Sequence, residues 1–185
     1  MEPNRAVSPI ISVILMVAIV VILAAVISVA VLSFTEDLSD PAPIVADTTG
    51  EFEIEGDWRG TQIVQITHEA GEDVAVEQIE IVVRATGPDV DTEARLVNLP
   101  AEGTTFATEN LDDPDNLIDN GNVNRNNIII DDDSSVWAAG DTITFRVNTG
   151  TADFREGEDP EADELEVLII HTPSNSILSE HIITP

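Results

Sequence analysis

The sequence of 185 residues contains no cysteine and no lysine. Without cysteine, a disulfide framework, a thiol redox motif and a thiolate metal site are excluded, so the fold must be held by packing alone. All seven basic residues are arginines, and they face 36 acidic residues, which gives a formal net charge of −29. A surface with this charge repels nucleic acid and anionic lipid head groups, so we expect no nucleic-acid partner.

Such an acidic composition is typical either of a disordered chain or of a folded domain adapted to high salt. The hydrophobic fraction of 43% and several strand-like runs favour the folded, halophilic alternative. At molar salt the Debye length falls to about 3 Å, so repulsion between the carboxylates is screened. We therefore predict an acidic, folded and salt-adapted domain.

Sequence motifs for catalysis are also missing. The chain has no G-x-S-x-G elbow and no phosphate-binding glycine loop. Catalytic zinc needs about three protein ligands in one place. The chain has three histidines, His68, His171 and His181. The last two lie in the predicted C-terminal hairpin, and we interpret them as surface polar groups at strand ends. The prediction is a protein that is not an enzyme and has no cofactor and no metal site.

Calcium is the metal that the acidic residues could best serve. Oxygen ligands are offered by Asp112, Asp113 and Asp115, by residues 131–133 and by residues 156–166. None of these stretches has EF-hand spacing, because counting back from Gly121 places an isoleucine at a ligand position. We interpret them as solvated acidic surface.

One long apolar run, residues 6–34, contains no charged residue. As a helix, the 25 residues from Ile10 would be about 37 Å long, enough to cross a hydrocarbon core of about 30 Å. The run is apolar on every side, which indicates burial in a membrane or in protein. Arg5 precedes it and Glu36 and Asp37 follow it, so we expect a single span with a cytoplasmic N-terminus.

Three interpretations fit this run. A secretory signal peptide could be cleaved after Ala30, but its apolar core would be about 7–15 residues with a basic lead. A plain single-span anchor follows from the hydropathy alone. In a type III signal sequence, a short leader is removed in front of the helix and the helix is retained.

The pattern of this run resembles the N-terminus of archaeal type IV pilins, in their halophilic branch. It consists of Arg5-Ala6-Val7-Ser8-Pro9 followed by IISVILMVAIVVILAAVI at residues 10–27. The family usually has Val-Ile-Gly where this chain has Ile-Ile-Ser. Bacterial pilins place a glutamate near the new N-terminus, and this chain has no carboxylate there.

The resemblance implies cleavage by a membrane-embedded aspartic prepilin peptidase between Ala6 and Val7, with a cut between Arg5 and Ala6 as the alternative. It further implies that an assembly ATPase and a membrane platform protein lift the subunit into a homo-oligomeric filament. Small residues along the helix let neighbouring helices approach closely, and proline is tolerated in a first helical turn. The residues assigned to helix assembly are Pro9, Ala18, Ala24, Ala25 and Ser28.

The predicted domain organisation has four parts: a leader at residues 1–6, the helix at 7–34, a proline-containing linker at 35–46 and an acidic extracellular head at 47–185. Alternating apolar residues predict strands at 76–84, 142–147, 165–172 and 177–183, the last two forming a hairpin. Residues 86–133 lack such a pattern and are predicted to be an irregular insertion. The fold class is therefore α+β, with a long helix followed by an antiparallel, immunoglobulin-like sandwich.

The sequence thus predicts a pilin, the structural subunit of an extracellular filament that serves surface adhesion. It would lie in the cell membrane before assembly and on the cell surface afterwards. The alternative is a membrane-anchored binding module that captures a ligand at the cell surface and does not polymerise.

Overall fold

The computed structural model describes residues 7–36, 41–56, 60–103, 105–121, 127–130 and 136–185, and the side chains of the helix over residues 10–28. The chain divides into two compact units, Met1–Asp40 and Pro41–Pro185. We call the second unit the head.

The first unit contains the helix α1, Val7–Glu36. Pro9 lies in its first turn, where the missing N–H costs no intrahelical hydrogen bond. The helix extends two residues beyond the predicted end at Phe34, a difference within the usual variation of helix boundaries. Pro41 and Pro43 follow, and neither could continue a helix without losing a hydrogen bond.

Within the described residues the head contains eleven strands. They are β1 (Val45–Ile54), β2 (Gln62–Gly71), β3 (Val74–Ala75), β4 (Ile79–Thr86), β5 (Asp91–Leu96), β6 (Leu111–Asp112), β7 (Ile118–Asp119), β8 (Val136–Trp137), β9 (Thr142–Val147), β10 (Glu164–His171) and β11 (Ser176–Ile183). Single turns of 3-10 helix occur at Val76–Gln78 and Thr108–Asn110.

The strands form a four-stranded sheet in the order β1-β2-β9-β7, a five-stranded sheet in the order β11-β10-β4-β5-β6, and the pair β3-β8. All of these strand pairs are antiparallel. This confirms the predicted class, a long N-terminal helix followed by antiparallel sheets. The immunoglobulin-like topology stays a prediction.

A single hydrophobic core joins the two large sheets. In β9, Ile143, Phe145 and Val147 are buried while the residues between them are half-exposed, because successive strand residues point to opposite faces. The five-stranded sheet contributes alternate residues in the same way, among them Ile81 and Leu165. Full burial of side chains of this size contributes roughly 1.5–3 kcal/mol each, so the core can hold the head together without cross-links.

The segment 86–133, expected to be an irregular insertion, contains β5, β6 and β7. It also supplies core residues, including Leu96, Phe106 and Leu117. Two of its strands are only two residues long, and β5 (DTEARL) has charged residues at three of six positions. Strands this short leave no alternation long enough to read from sequence. Residues 122–126 and 131–135 lie outside the described residues.

Candidate functional site

The first candidate site is the helix itself. Within the described part of the chain, one helix is long and apolar enough to cross a membrane, and its candidate span is Ile10–Ser28. Its side chains are exposed along this whole span, including large ones such as Met16 at 69% and Ile14 at 63%. An exposed apolar surface of this extent needs lipid or protein to cover it, as the sequence predicts.

The small residues assigned to assembly share one side of α1. Ala18 and Ala25 are seven residues apart, close to two full turns, so they lie above one another. Ala24 and Ser28 are separated by four residues and form a neighbouring pair, in which the Ser28 hydroxyl donates to the Ala24 carbonyl at 2.8 Å. At 100° per residue the four positions span about 120° of the helix circumference. The hydroxyl is satisfied within the helix, so this face needs no polar partner.

The remaining predicted helix and processing residues are only partly described. Val7 is the first residue of α1, and the backbone of Pro9 lies in the first turn. Arg5 and Ala6 lie outside the described residues, so the cleavage position stays a prediction.

Three of the four arginines in the described part of the head form ion pairs within it. On the five-stranded sheet, Arg84 in β4 binds Glu93 of β5 at 2.8 Å and Glu166 of β10, its Cα partners on either side. Arg95 binds Glu80 and Glu93, each at 3.1 Å. The hydrogen bond from Arg84 lowers the pKa of Glu93, in spite of partial burial that acts to raise it. These pairs order the outer surface of the sheet.

A third arginine holds a buried carboxylate. Asp153 is 3% exposed, and Arg155 binds it through Nη2 at 2.7 Å and Nε at 3.0 Å. Burial acts to raise the pKa of Asp153, but the side-chain and backbone hydrogen bonds from Arg155 outweigh it and lower that pKa. Gln62 fixes the same loop, because its amide donates to the Ala152 carbonyl at 2.9 Å and accepts from the Phe154 N–H at 2.8 Å.

Two carboxylates of the first candidate calcium stretch make contacts within the head. Asp113 accepts the N–H groups of Leu117 and Ile118, both at 2.7 Å, and Asp115 accepts the hydroxyl of Thr92 at 2.9 Å. Among the described residues, no three histidine, aspartate or glutamate side chains are grouped so that they could hold a metal ion. Residues 131–133 lie outside the described part of the chain.

The interpretation of the hairpin histidines as surface groups is wrong for His171, and His68, which lies outside the hairpin, is buried as well. His68 is fully buried, with its ring 4.8 Å from that of Trp137. His171 is 2% exposed, and its ring nitrogens lie 2.7 Å from the Ser174 hydroxyl and 3.3 Å from the Gln78 amide oxygen. Ser174 is close to His171 in sequence, but Trp137 and Gln78 are distant from the histidines that they contact, so no local pattern predicts the burial.

His181 is half-buried and links β11 to β1. Its Nε2 lies 2.9 Å from the hydroxyl of Thr48 and 3.0 Å from that of Ser179. Burial lowers the pKa of His181. Gly50 faces the imidazole so closely that a Cβ atom there would lie 2.8 Å from the ring, so this glycine lets the edges of the two sheets meet.

Helix and head together define a class of protein: a chain with one apolar N-terminal helix of membrane-spanning length and an acidic antiparallel β head. Residues 5–46 match the family model described as Archaeal Type IV pilin, N-terminal. This match confirms the resemblance to archaeal type IV pilins, while the halophilic branch stays a prediction. It supports a type IV pilin subunit, and the family is a structural one. No curated protein matches the chain significantly.

Proposed function

We propose that the protein is a structural subunit of a type IV pilus-like filament and that α1 is its polymerisation element. The observation that carries this proposal is the pilin match over residues 5–46, which covers the whole of the exposed apolar helix. A soluble protein would leave such a helix uncovered, whereas a membrane or a bundle of identical helices would bury it.

Processing comes first in the proposed cycle. Before assembly α1 lies in the membrane with Arg5 on the cytoplasmic side, and the head is outside. A prepilin peptidase removes residues 1–6, so the mature chain begins at Val7. Because the cut precedes the first helical residue, the whole of α1 is retained.

Assembly then exchanges one apolar environment for another. With an assembly ATPase and a membrane platform protein as partners, α1 leaves the lipid and packs against the helices of other subunits. Lipid tails and apolar side chains are similarly apolar surroundings, so the free energy of the exchange is close to zero. The closeness of helix packing then decides whether assembly is favourable. The face with Ala18, Ala24, Ala25 and Ser28 would allow close helix contact. The acidic head stays in water, where it would serve surface adhesion.

The test is to shear filaments from cells that produce the protein and to examine both the sheared and the membrane fractions. Electron microscopy should show filaments in the sheared fraction, and mass spectrometry should find this chain there with Val7 as its first residue. A protein that stays entirely in the membrane fraction would support the anchored binding module instead. A first residue after Ala30 would mean that the helix is lost, which contradicts assembly through it.

A further inference from the structure

A pocket of about 280 Å³ lies on the four-stranded sheet, where β9 meets β7. Five of its six described lining residues are polar. The six are Thr61, Asp119, Arg146, Val147, Asn148 and Thr149. Pockets for drug-sized ligands are typically about 300–1,000 Å³, so this one suits a ligand the size of a single sugar ring.

Arg146 distinguishes this pocket from the rest of the head. It lies in β9 with Asp119 of β7 as its Cα partner. Its Nε atom is buried and has no hydrogen-bond partner among the described residues. Arg84, Arg95 and Arg155 each have at least one carboxylate within 4 Å, and no such pair occurs for Arg146 in the described part of the chain.

A guanidinium with a buried, unsatisfied Nε and no carboxylate partner among the described residues is unexpected in a chain with 36 acidic residues. Asp119 is next to Arg146, but its Oδ1 accepts the N–H of Gly121 at 2.8 Å instead of binding the arginine. A buried donor without a partner has lost its hydrogen bonds to water and gained none in return, so the arrangement is unfavourable for folding. A ligand that supplies an anionic acceptor would remove this cost.

The chemistry of the lining narrows the ligand class. A guanidinium binds a carboxylate through two parallel hydrogen bonds, which a simple point charge cannot do. Asp119 offers a second carboxylate oxygen and Thr149 a hydroxyl, and both are suited to bind the hydroxyl groups of a polyol. A ligand with several anionic groups would be repelled by Asp119 and by the acidic surface around the pocket.

We propose that this pocket binds a carboxylated sugar unit, such as a uronic acid, with its carboxylate on Arg146 and its hydroxyls on Asp119 and Thr149. The binding step is independent of polymerisation. The further step, that this ligand is what the filament adheres to, rests on the proposed function. One small pocket binds weakly, but a filament that repeats it in every subunit would gain avidity on an acidic polysaccharide.

The test is a ligand titration of the full-length protein in detergent micelles at molar potassium chloride. Binding is measured by isothermal calorimetry or ligand-observed NMR. The probes are glucuronate, glucose and acetate, which separate the carboxylate from the hydroxyls. We expect saturable binding of glucuronate and at least about tenfold weaker binding of the other two, since each lacks one set of hydrogen bonds to the pocket.

Three variants test whether Arg146 is the residue that binds the carboxylate. Arg146→Gln should weaken glucuronate binding about tenfold to a hundredfold, because it removes a charged, two-pronged donor. Arg95→Gln is the matched control, since it changes the net charge equally but lies in the five-stranded sheet, and it should bind as the wild type does. Arg146→Lys keeps the charge, so its affinity for glucuronate should lie between those of the wild type and Arg146→Gln. If Arg146→Gln does not fold, the lysine variant still tests the role of the guanidinium.

Several results would overturn the proposal. Equal binding of glucose and glucuronate would mean that the guanidinium does not select a carboxylate. If acetate bound as tightly as glucuronate, the sugar hydroxyls would make no contribution to binding. Equal losses in Arg146→Gln and Arg95→Gln would show a general charge effect. Because the protein is measured in micelles, these results do not depend on whether it forms filaments.

Discussion

At the scale of single residues, some acidic side chains of the head accept backbone hydrogen bonds, whereas others are exposed and contribute only charge. Asp113 binds two backbone N–H groups, those of Leu117 and Ile118, and so holds the turn that leads into β7. Its neighbour Asp112 is exposed. One carboxylate therefore stabilises the backbone while the next adds only charge.

This difference predicts opposite effects of two adjacent substitutions. Asp113→Ala should lower the free energy of unfolding by about 1–3 kcal/mol, because two N–H groups near buried residues lose their acceptor. Asp112→Ala removes the same charge from an already acidic chain and should leave the stability unchanged or raise it slightly. Denaturant unfolding of both variants at molar salt measures the difference. Equal effects would show that Asp113 contributes charge alone.

Residues of this kind explain why the sequence does not predict the polar interior of the head. The partner of His68, Trp137, is 69 positions away, and Gln78, the partner of His171, is 93 positions away. In the sequence, Asp113, which accepts two backbone hydrogen bonds, cannot be told apart from its solvated neighbour Asp112. Likewise, the sequence of β9 does not show that Arg146, unlike Arg84, has no carboxylate partner among the described residues, since pairing depends on which strands become neighbours.

At the scale of elements, the predictable strands are those with long, uninterrupted alternation. β9 occupies the predicted residues 142–147, and β10 and β11 form the predicted hairpin. Its turn contains Asn175 with φ of 52°, a conformation that asparagine tolerates better than most residues. By contrast, β6 and β7 have two residues each and are defined by pairing with distant strands, so only the folded chain reveals them.

The helix is the element on which assembly depends, and bulk on its small face tests that role. Ala24→Phe and Ala25→Phe should leave membrane insertion and leader removal intact, because lipid adapts to a larger apolar side chain. A packed protein interface does not, and overpacking costs roughly 1–3 kcal/mol per site. We therefore expect less filament in the sheared fraction for both variants, measured against the membrane fraction of the same cells.

Leu23→Phe is the control for this comparison. At 100° per residue, Leu23 lies about 160° from the middle of the small face, and the substitution exchanges one large apolar side chain for another. It should assemble nearly as well as the wild type. If all three variants assemble equally well, α1 still polymerises but the close packing inferred at Ala24 and Ala25 is wrong.

At the scale of the whole molecule, charge is the dominant feature. All but four of the 36 acidic residues and all but one of the seven arginines follow residue 40, so the head carries nearly all of the repulsion. The described ion pairs involve three arginines and leave most carboxylates without a cation. The more exposed pairs, those of Arg84 and Arg95, each contribute typically less than about 1 kcal/mol, and a single pair with a buried carboxylate cannot offset the repulsion.

Salt should therefore decide the stability of the head. Thermal melts of the isolated unit Pro41–Pro185 should show a melting temperature that rises steeply from dilute to about 1 M potassium chloride, where the Debye length reaches about 3 Å. Screening is nearly complete at that point. Any further gain at higher salt must come from strengthened burial of apolar surface, which an excluded osmolyte such as sucrose should reproduce without ions.

The two contributions can be separated because only one of them requires ions. If repulsion dominates, sucrose should raise the melting temperature much less than potassium chloride does below 1 M. If sucrose reproduces the whole increase, apolar burial governs stability and the carboxylates are already compensated. A melting temperature that does not depend on salt would indicate cations bound at fixed sites. That result would restore the calcium interpretation for the acidic segments, and calcium titration of the same melts would then identify the ion.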